Sequence, residues 1–255
     1  MREKILETLI TALEPKDFVL AFWQGGSAAH GYTDEWSDLD IEVIVKDDEV
    51  QQTFDAVEEA LQTISEISLK YRVPEPTWHG HSQTFYQLAE ANPFLVIDFA
   101  VMKQSSRNDF LEVERHGNAV IAFDKANLVV PKNVNQSEHF SQMKERFTHQ
   151  KKLFNFLQVF VKKEINRGHL AQAIANYQLY TLRNLVELLG MLYRPYRYDF
   201  TIKYFNRDFP PEVVARVEPL FCITDLADLA KKQQLAEEMF AETLSRVEEA
   251  LEKYK

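Results

Sequence analysis

The sequence predicts an α+β protein in which a mixed sheet with flanking helices, over residues 1–133, precedes an all-helical bundle over residues 134–255. In the first part, short apolar runs rich in β-favouring residues alternate with helical patterns, as strands packed against helices do. In the second part, apolar residues recur at helical spacing and the strand pattern stops. The change falls at residues 131–135, which sets the predicted domain boundary.

The elements of the first part follow from their local patterns. Residues 2–14 place apolar side chains at helical spacing and stop before Pro15. An acidic stretch at residues 47–49 predicts the first turn of a second helix, because acids favour helix N-termini. The full assignment is strands over 18–23, 39–45, 65–73 and 94–102, a helix over 47–64, a loop at 78–81, and a short helix followed by a hairpin around 124–127.

The second part reads as helices throughout. Ser137 is predicted to cap a long helix that ends near Gly168. A helix over 170–192 is apolar nearly all round and is therefore expected at the centre of the bundle. Shorter helices over 200–208 and 211–221 and a closing helix over 224–254 complete the assignment.

Composition narrows the class of protein. Of the 255 residues, 45% are hydrophobic and 27% charged, which is ordinary for a soluble globular protein. The net charge of −10 argues against a non-specific nucleic-acid partner, and no apolar run approaches the ~20 residues that span a bilayer. A single cysteine, Cys222, excludes an internal disulfide and is expected to be buried. We therefore expect a cytoplasmic protein with neither a membrane nor a nucleic-acid partner.

The most informative stretch begins where the first strand ends. Gly25, Gly26 and Ser27 follow that strand, and paired glycines let the backbone turn sharply and approach a ligand closely. Residues 28–31 are predicted to start a helix with its free N–H groups facing this turn. Amides in that position favour an anion, which is usually a phosphate.

Acidic residues follow on the next strands. Asp38, Asp40 and Glu42 are two residues apart, so their side chains share one face of the predicted strand. The carboxylates of Asp38 and Asp40 would repel each other, and a divalent cation such as Mg²⁺ between them would make the arrangement stable. Asp98 interrupts the apolar run 94–102, where a lone acid must be paired, protonated or bound to metal. Without the other acids as context, Asp98 could also be a strand-edge residue that is hydrogen-bonded to the backbone.

The spacing between the Gly-Ser turn and the acids resembles the signature of a known family. Gly26-Ser27, ten intervening residues and then Asp38-Leu39-Asp40 is similar to the signature of the DNA-polymerase-β-type nucleotidyltransferase superfamily. Within it, the chain is most similar to the two-domain aminoglycoside and lincosamide nucleotidyltransferases. The resemblance implies a nucleotidyltransferase fold for the sheet part and a helical, substrate-binding second part.

The resemblance also implies an activity and its residues. The expected reaction moves a nucleoside monophosphate from ATP or another nucleoside triphosphate to a hydroxyl of a small molecule, such as an antibiotic, and releases pyrophosphate. Asp38, Asp40 and Asp98 would be catalytic and would hold one or two Mg²⁺, while Gly26 and Ser27 would bind phosphates. Lys203, after the second long helix, would also bind the nucleotide, with Arg183 as the alternative phosphate contact.

Four questions stay open in the sequence. The general base could be Glu42 or Glu187, although either could be a surface or a buried, paired acid. Lys203 could equally be a solvated lysine. The chain could instead be a regulatory, antitoxin-like binding partner, or an enzyme that adenylylates a protein. Both a monomer and a homodimer fit.

Overall fold

The structure is a computed structural model that describes residues 1–77 and 79–253. Trp78, in the predicted loop at 78–81, and residues 254–255, where the closing helix was predicted to end, lie outside the described residues. By its internal contacts the chain divides into two compact units, Met1–Val134 and Asn135–Lys255. That these units are independent domains stays a prediction.

The first unit is built on a six-stranded mixed sheet. Its strands follow the order β3-β4-β5-β2-β1-β6, with β2 and β5 parallel and every other neighbouring pair antiparallel. The predicted mixed sheet with flanking helices is confirmed. The elements are α1 (Arg2–Leu13), β1 (Val19–Gln24), α2 (Gly26–Ala29), β2 (Leu39–Val45), α3 (Val50–Gln62), β3 (Ile67–Arg72), β4 (Ser82–Leu88), β5 (Ile97–Lys103), α4 (Val113–His116) and β6 (Val120–Asp124).

Strand alternation places a hydrophobic core on one face of the sheet, and on the other a group of acids beside a second, smaller hydrophobic cluster that includes Ile44. One side chain in two along β2 joins the core that includes α1 and α3, namely Leu39, Ile41 and Val43. Burying each such side chain contributes about 1.5–3 kcal/mol. The intervening side chains of β2, Asp40 and Glu42, point to the opposite face of the sheet.

Three local predictions in this unit are wrong. The acids at residues 47–49 precede α3 rather than form its first turn, and Asp47 instead accepts a hydrogen bond from the Ser105 N–H. Strand β4 was not predicted, because polar Ser82 and Thr84 point inward and hide the alternation. After β6 no hairpin partner follows among the described residues, since the Asp124 carboxylate accepts N–H bonds from the turn beyond it.

The second unit is helical, as predicted. Its elements are α5 (Gln136–Asn166), α6 (Leu170–Asn176), a π-helical turn (Tyr177–Leu182), α7 (Arg183–Tyr193), a 3₁₀ segment (Pro195–Phe200), α8 (Phe205–Asp208), α9 (Pro211–Val217), a second 3₁₀ segment (Glu218–Phe221) and α10 (Leu226–Leu251). Among residues 1–77 and 79–253, no helix has both the length and the hydrophobicity to cross a membrane.

Details of this unit differ from the sequence-based prediction. Asn135, not Ser137, caps α5, since its side chain accepts the Glu138 N–H. The predicted helix over 200–208 is interrupted because Thr201 and Tyr204 have positive φ angles of 51° and 60°. Cys222 is exposed rather than buried.

A buried amide fixes the π-helical turn. The Gln158 side chain donates to the carbonyls of Phe154 and Tyr180 and accepts from the Thr181 hydroxyl at 2.6 Å and the Gln233 amide at 3.3 Å. All four hydrogen-bonding positions of its amide are therefore used. The side chain joins α5, the π-helical turn and α10.

We expect Gln158→Leu to lower the free energy of unfolding by roughly 1–3 kcal/mol, because it leaves buried polar partners without hydrogen bonds. Urea unfolding followed by circular dichroism measures the change. Gln234→Leu is the matched control, since Gln234 is exposed and pairs only with Glu238 on its own helix. Equal midpoints for the two variants would contradict a structural role for the Gln158 network.

Candidate active site

A glycine turn follows β1 and lies directly against two carboxylates. The Gly25 N–H donates to the Asp40 carbonyl at 3.1 Å. Gly26 has φ +51°, and a Cβ atom there would overlap the Asp40 carboxylate. At Gly25 a Cβ atom would lie 2.7 Å from Glu42 Oε1. Both positions therefore require glycine, one of them also for its backbone conformation.

The short helix α2 starts two residues earlier than predicted and includes Gly26 and Ser27. Ser27 is half-buried, and no side chain caps the helix. The Ala29 N–H bonds to the Gly25 carbonyl at 3.1 Å, which closes the turn. The assignment of Gly26 and Ser27 to phosphate binding stays a prediction.

Parallel pairing of β2 and β5 brings two of the predicted acids together. Asp40 is the register partner of Asp98, so both side chains leave the sheet on the same face from neighbouring strands. Strands in a sheet lie about 4.8 Å apart. The Asp98 carboxylate accepts a hydrogen bond from Gln83 Nε2 at 2.7 Å, so its observed partner is a side-chain amide on β4.

Asp38 lies at the exposed start of β2, and its backbone is held by the N-terminal helix. Arg2, the first residue of α1, donates from Nη1 to the Asp38 carbonyl at 2.8 Å and from Nη2 to the Ser37 carbonyl. A cation at a helix N-terminus opposes the helix dipole. The two hydrogen bonds of Arg2 offset its unfavourable interaction with the helix dipole, and they fix the backbone next to Asp38.

Glu42 is a third acid on the polar face of the sheet. Its Oε2 atom is buried and has no hydrogen-bond partner among the described residues. The pKa of Glu42 is raised to about 8, chiefly by burial and also by the negative charges of Asp40 and Asp98, while a hydrogen bond from the Trp23 side chain lowers it. The three carboxyl groups are thus close enough to interact, and a cation or a proton would stabilise them.

The donor chemistry of this face fits Mg²⁺, which prefers carboxylate oxygens. Asp40 and Asp98 are adjacent, and Glu42 Oε2 is a buried oxygen that lacks a partner. Within residues 1–77 and 79–253, however, no three His, Cys, Asp or Glu side chains are arranged as a complete metal site. The assignment of Asp38, Asp40 and Asp98 as catalytic metal ligands stays a prediction.

Two further predicted residues lie in the second unit. Glu187 is buried and forms a bidentate ion pair with Arg146 at 2.6 and 2.7 Å, so it is the paired acid that the sequence allowed as an alternative. Lys203 is exposed, with Nζ 4.9 Å from the centre of the Tyr204 ring. Its role in nucleotide binding stays a prediction.

Sequence reasoning missed Arg2 and Gln83. Arg2 acts on residues 37 and 38 through the tertiary fold, and no local pattern marks such a contact. Gln83 lies in the strand that was not predicted. A correct assignment of β4 beside β5 would have placed Gln83 on the same face as Asp98.

The comparisons with known proteins give two distant likenesses to solved structures. No family model and no curated protein matches the chain. An aminoglycoside 6-adenyltransferase from Bacillus subtilis is similar with 12% identity and a TM-score of 0.41, covering 98% of this chain and 91% of the other. A spectinomycin adenyltransferase from Enterococcus faecialis, solved with ATP and spectinomycin, is similar with 11% identity and a TM-score of 0.35, covering 98% and 99%.

Both of these solved proteins are adenyltransferases. Both are distant in identity and in TM-score, so they assign neither a substrate nor a site residue to this chain. The chemistry of the site has to be argued from the acid face and the glycine turn themselves.

We expect Gly26→Ala to abolish any function of this site, because the added methyl group displaces the Asp40 carboxylate. Gly31→Ala is the matched control: Gly31 also has positive φ, at +71°, but a Cβ atom there meets nothing within 4 Å. The left-handed backbone alone should cost each variant about 1–2 kcal/mol of stability. Mn²⁺ binding, followed by electron paramagnetic resonance, should be lost only in Gly26→Ala. Equal Mn²⁺ binding by both variants would show that Asp40 does not need the glycine turn.

We expect the stability of the metal-free protein to fall as pH rises from about 4.5 to about 8. The folded pKa of Glu42, about 8, lies above its ordinary value of 4.5, so the folded state holds more protons across this interval. Each pH unit within the interval then costs about 1.4 kcal/mol. Urea unfolding of wild type and Glu42→Gln in a chelating buffer measures the effect, and the variant should lose this slope. The same pH slope in both proteins would exclude Glu42 as its source.

Proposed function

We propose that the protein is a Mg²⁺-dependent nucleotidyltransferase that moves a nucleoside monophosphate, in the first instance AMP from ATP, to a hydroxyl of a small molecule. The bond from the hydroxyl oxygen to the α-phosphorus forms as the α–β phosphoanhydride bond breaks, and pyrophosphate leaves. One observation carries the proposal: Asp40 and Asp98 are register partners on parallel strands, and the glycine turn packs against Asp40. A glycine turn beside adjacent carboxylates suits phosphoryl chemistry, in which positioning and charge neutralisation supply most of the catalysis.

The site residues have different roles in the proposed reaction. The turn at Gly26 and Ser27 binds phosphate oxygens through backbone N–H groups, and the absence of a side chain at residue 26 lets the Asp40 carboxylate pack against this turn. Asp38, Asp40 and Asp98 hold the metal, which when bound neutralises phosphate charge and lowers the pKa of the acceptor hydroxyl. Arg2 keeps the backbone of Asp38 in place.

Neither earlier candidate is proposed as the general base. Glu42 is buried and packs against Gly25, so an acceptor hydroxyl cannot reach it without displacing the turn. Glu187 forms an ion pair with Arg146.

For the acceptor we propose an aminoglycoside- or lincosamide-type antibiotic as the first class to test, because a protein of net charge −10 attracts a cationic substrate.

Turnover of α-labelled ATP against a panel of hydroxylated antibiotics tests the proposal. Label on a small molecule supports it. Label on protein supports protein adenylylation instead. If ATP binds in the presence of Mg²⁺ or Mn²⁺ but no acceptor is labelled, a regulatory binding protein is the better description.

We expect Asp40→Asn and Asp98→Asn each to lower the transfer rate by at least roughly 100-fold, because each removes one charge from the metal-binding face without changing its shape. Asp55→Asn is the control, since Asp55 is exposed on α3 and pairs with Gln51. Circular dichroism should show all three variants folded. Near-normal rates in a folded Asp40→Asn protein would remove the basis for the metal assignment.

A further inference from the structure

The loop before β4 ends in two histidines separated by a glycine, and the first of them reaches into the strand. His79 Nε2 lies 3.2 Å from Gln83 Oε1, and Gln83 Nε2 lies 2.7 Å from Asp98 Oδ1. His79, Gln83 and Asp98 therefore form a chain of hydrogen-bonded side chains. This chain begins in the loop and ends at a carboxylate of the candidate active site.

The backbone fixes which nitrogen of His79 carries the proton. The His81 backbone N–H donates to His79 Nδ1 at 3.2 Å, and a backbone N–H can only donate. Nδ1 is therefore unprotonated, and the proton of the neutral imidazole is on Nε2. The Thr77 hydroxyl lies 3.4 Å from Nδ1 but donates its single hydrogen to the His81 carbonyl at 2.6 Å, so it is not a second donor to Nδ1.

The proton on His79 Nε2 determines how the Gln83 amide is oriented. A protonated Nε2 needs an acceptor, so the amide oxygen faces His79. The amide nitrogen then faces β5 and donates to Asp98. If the amide were turned over, two donors would meet at His79 and two acceptors would meet at Asp98, and both hydrogen bonds would be lost.

Aromatic packing holds the His79 ring in this position. Its centre lies 5.5 Å from the ring centres of His81 and Phe110, and those two centres are also 5.5 Å apart. His81 is buried, so the three rings form a packed triangle beside the start of β4. The donor that faces Gln83 is thus fixed by the loop backbone and by its packing.

We propose that His79 is a positioning residue for the Asp98 carboxylate and acts through Gln83. The inference rests on the proposed metal-binding role of Asp98. A carboxylate that binds a metal is itself usually held by a hydrogen bond, and loss of such a partner weakens metal binding by roughly 10- to 100-fold. The N–H of His79 sets the direction of the whole chain, and the Gln83 amide transmits it to Asp98.

The position of the proton on His79 can be observed directly in the metal-free protein. Long-range ¹H–¹⁵N NMR spectra of imidazole rings distinguish the two neutral tautomers. The signals of His79 are those, among the seven histidines, that disappear in His79→Phe. We expect a proton on Nε2. A proton on Nδ1 would overturn the proposal, because Nε2 would then accept from Gln83 and turn the amide away from Asp98.

Two substitutions separate the hydrogen bond of His79 from its packing. His79→Gln retains an N–H donor at about the reach of Nε2 but loses the ring, whereas His79→Phe retains the ring but loses the donor. Mn²⁺ affinity of the full-length protein is measured by electron paramagnetic resonance. It should stay within about threefold of wild type in His79→Gln and fall by roughly 10-fold or more in His79→Phe and in Gln83→Leu.

Gln87→Leu is the matched control, because Gln87 lies on the same face of β4 as Gln83 but donates to the Pro93 carbonyl. It should bind Mn²⁺ like wild type. Equal affinities in all five proteins would overturn the proposal. The opposite order of the two His79 variants would also overturn it, because Mn²⁺ affinity would then depend on the ring and not on the N–H.

A readout without metal separates this inference from the proposed function. Hydrogen exchange of the Gln83 side-chain amide, followed by NMR, should be slow in wild type and in His79→Gln and faster in His79→Phe. If this order holds but wild type does not bind Mn²⁺, the metal assignment fails and the orientation of Gln83 by His79 stands. If wild type binds Mn²⁺ but the exchange rates are the same in all three proteins, His79 does not orient Gln83 and the proposal is wrong.

Discussion

The parallel pairing of β2 with β5 is the constraint on which the first unit depends. It places Asp40 next to Asp98 on one face, and Glu42 follows two residues later. Two ionised carboxylates about 5 Å apart repel by about 3 kcal/mol at an effective dielectric constant of about 20. The Gln83 amide reduces this cost by donating to Asp98, and the same two charges add to the burial that raises the pKa of Glu42.

The hydrophobic core makes this arrangement of acids unavoidable. Leu39, Ile41 and Val43 alternate with the acids along β2 and are 0–2% exposed on the opposite face of the sheet. A slip of one residue in register would exchange the two sets and bury carboxylates in the apolar core. The energy that fixes the acid face therefore comes from residues that never touch a ligand.

The sequence predicts those parts of the acid face and glycine turn that depend on local patterns. Strands β1, β2 and β5, the glycine turn and the shared face of Asp40 and Glu42 all follow from patterns of a few residues. The Arg2 contacts with Ser37 and Asp38 join positions 35 and 36 residues apart, so no local pattern predicts them. The exposure of Cys222 was also mispredicted, because its apolar neighbours indicate burial whereas the fold places it just after a surface 3₁₀ segment.

The same limit applies to the second unit. Its basic residues are visible in the sequence, but their convergence on Asp208 depends on two left-handed residues, Thr201 and Tyr204, whose side chains do not predict that backbone. The convergence of Arg194, Arg197 and Arg207 on Asp208 is therefore fixed by a backbone conformation that the tertiary fold sets and the local sequence does not.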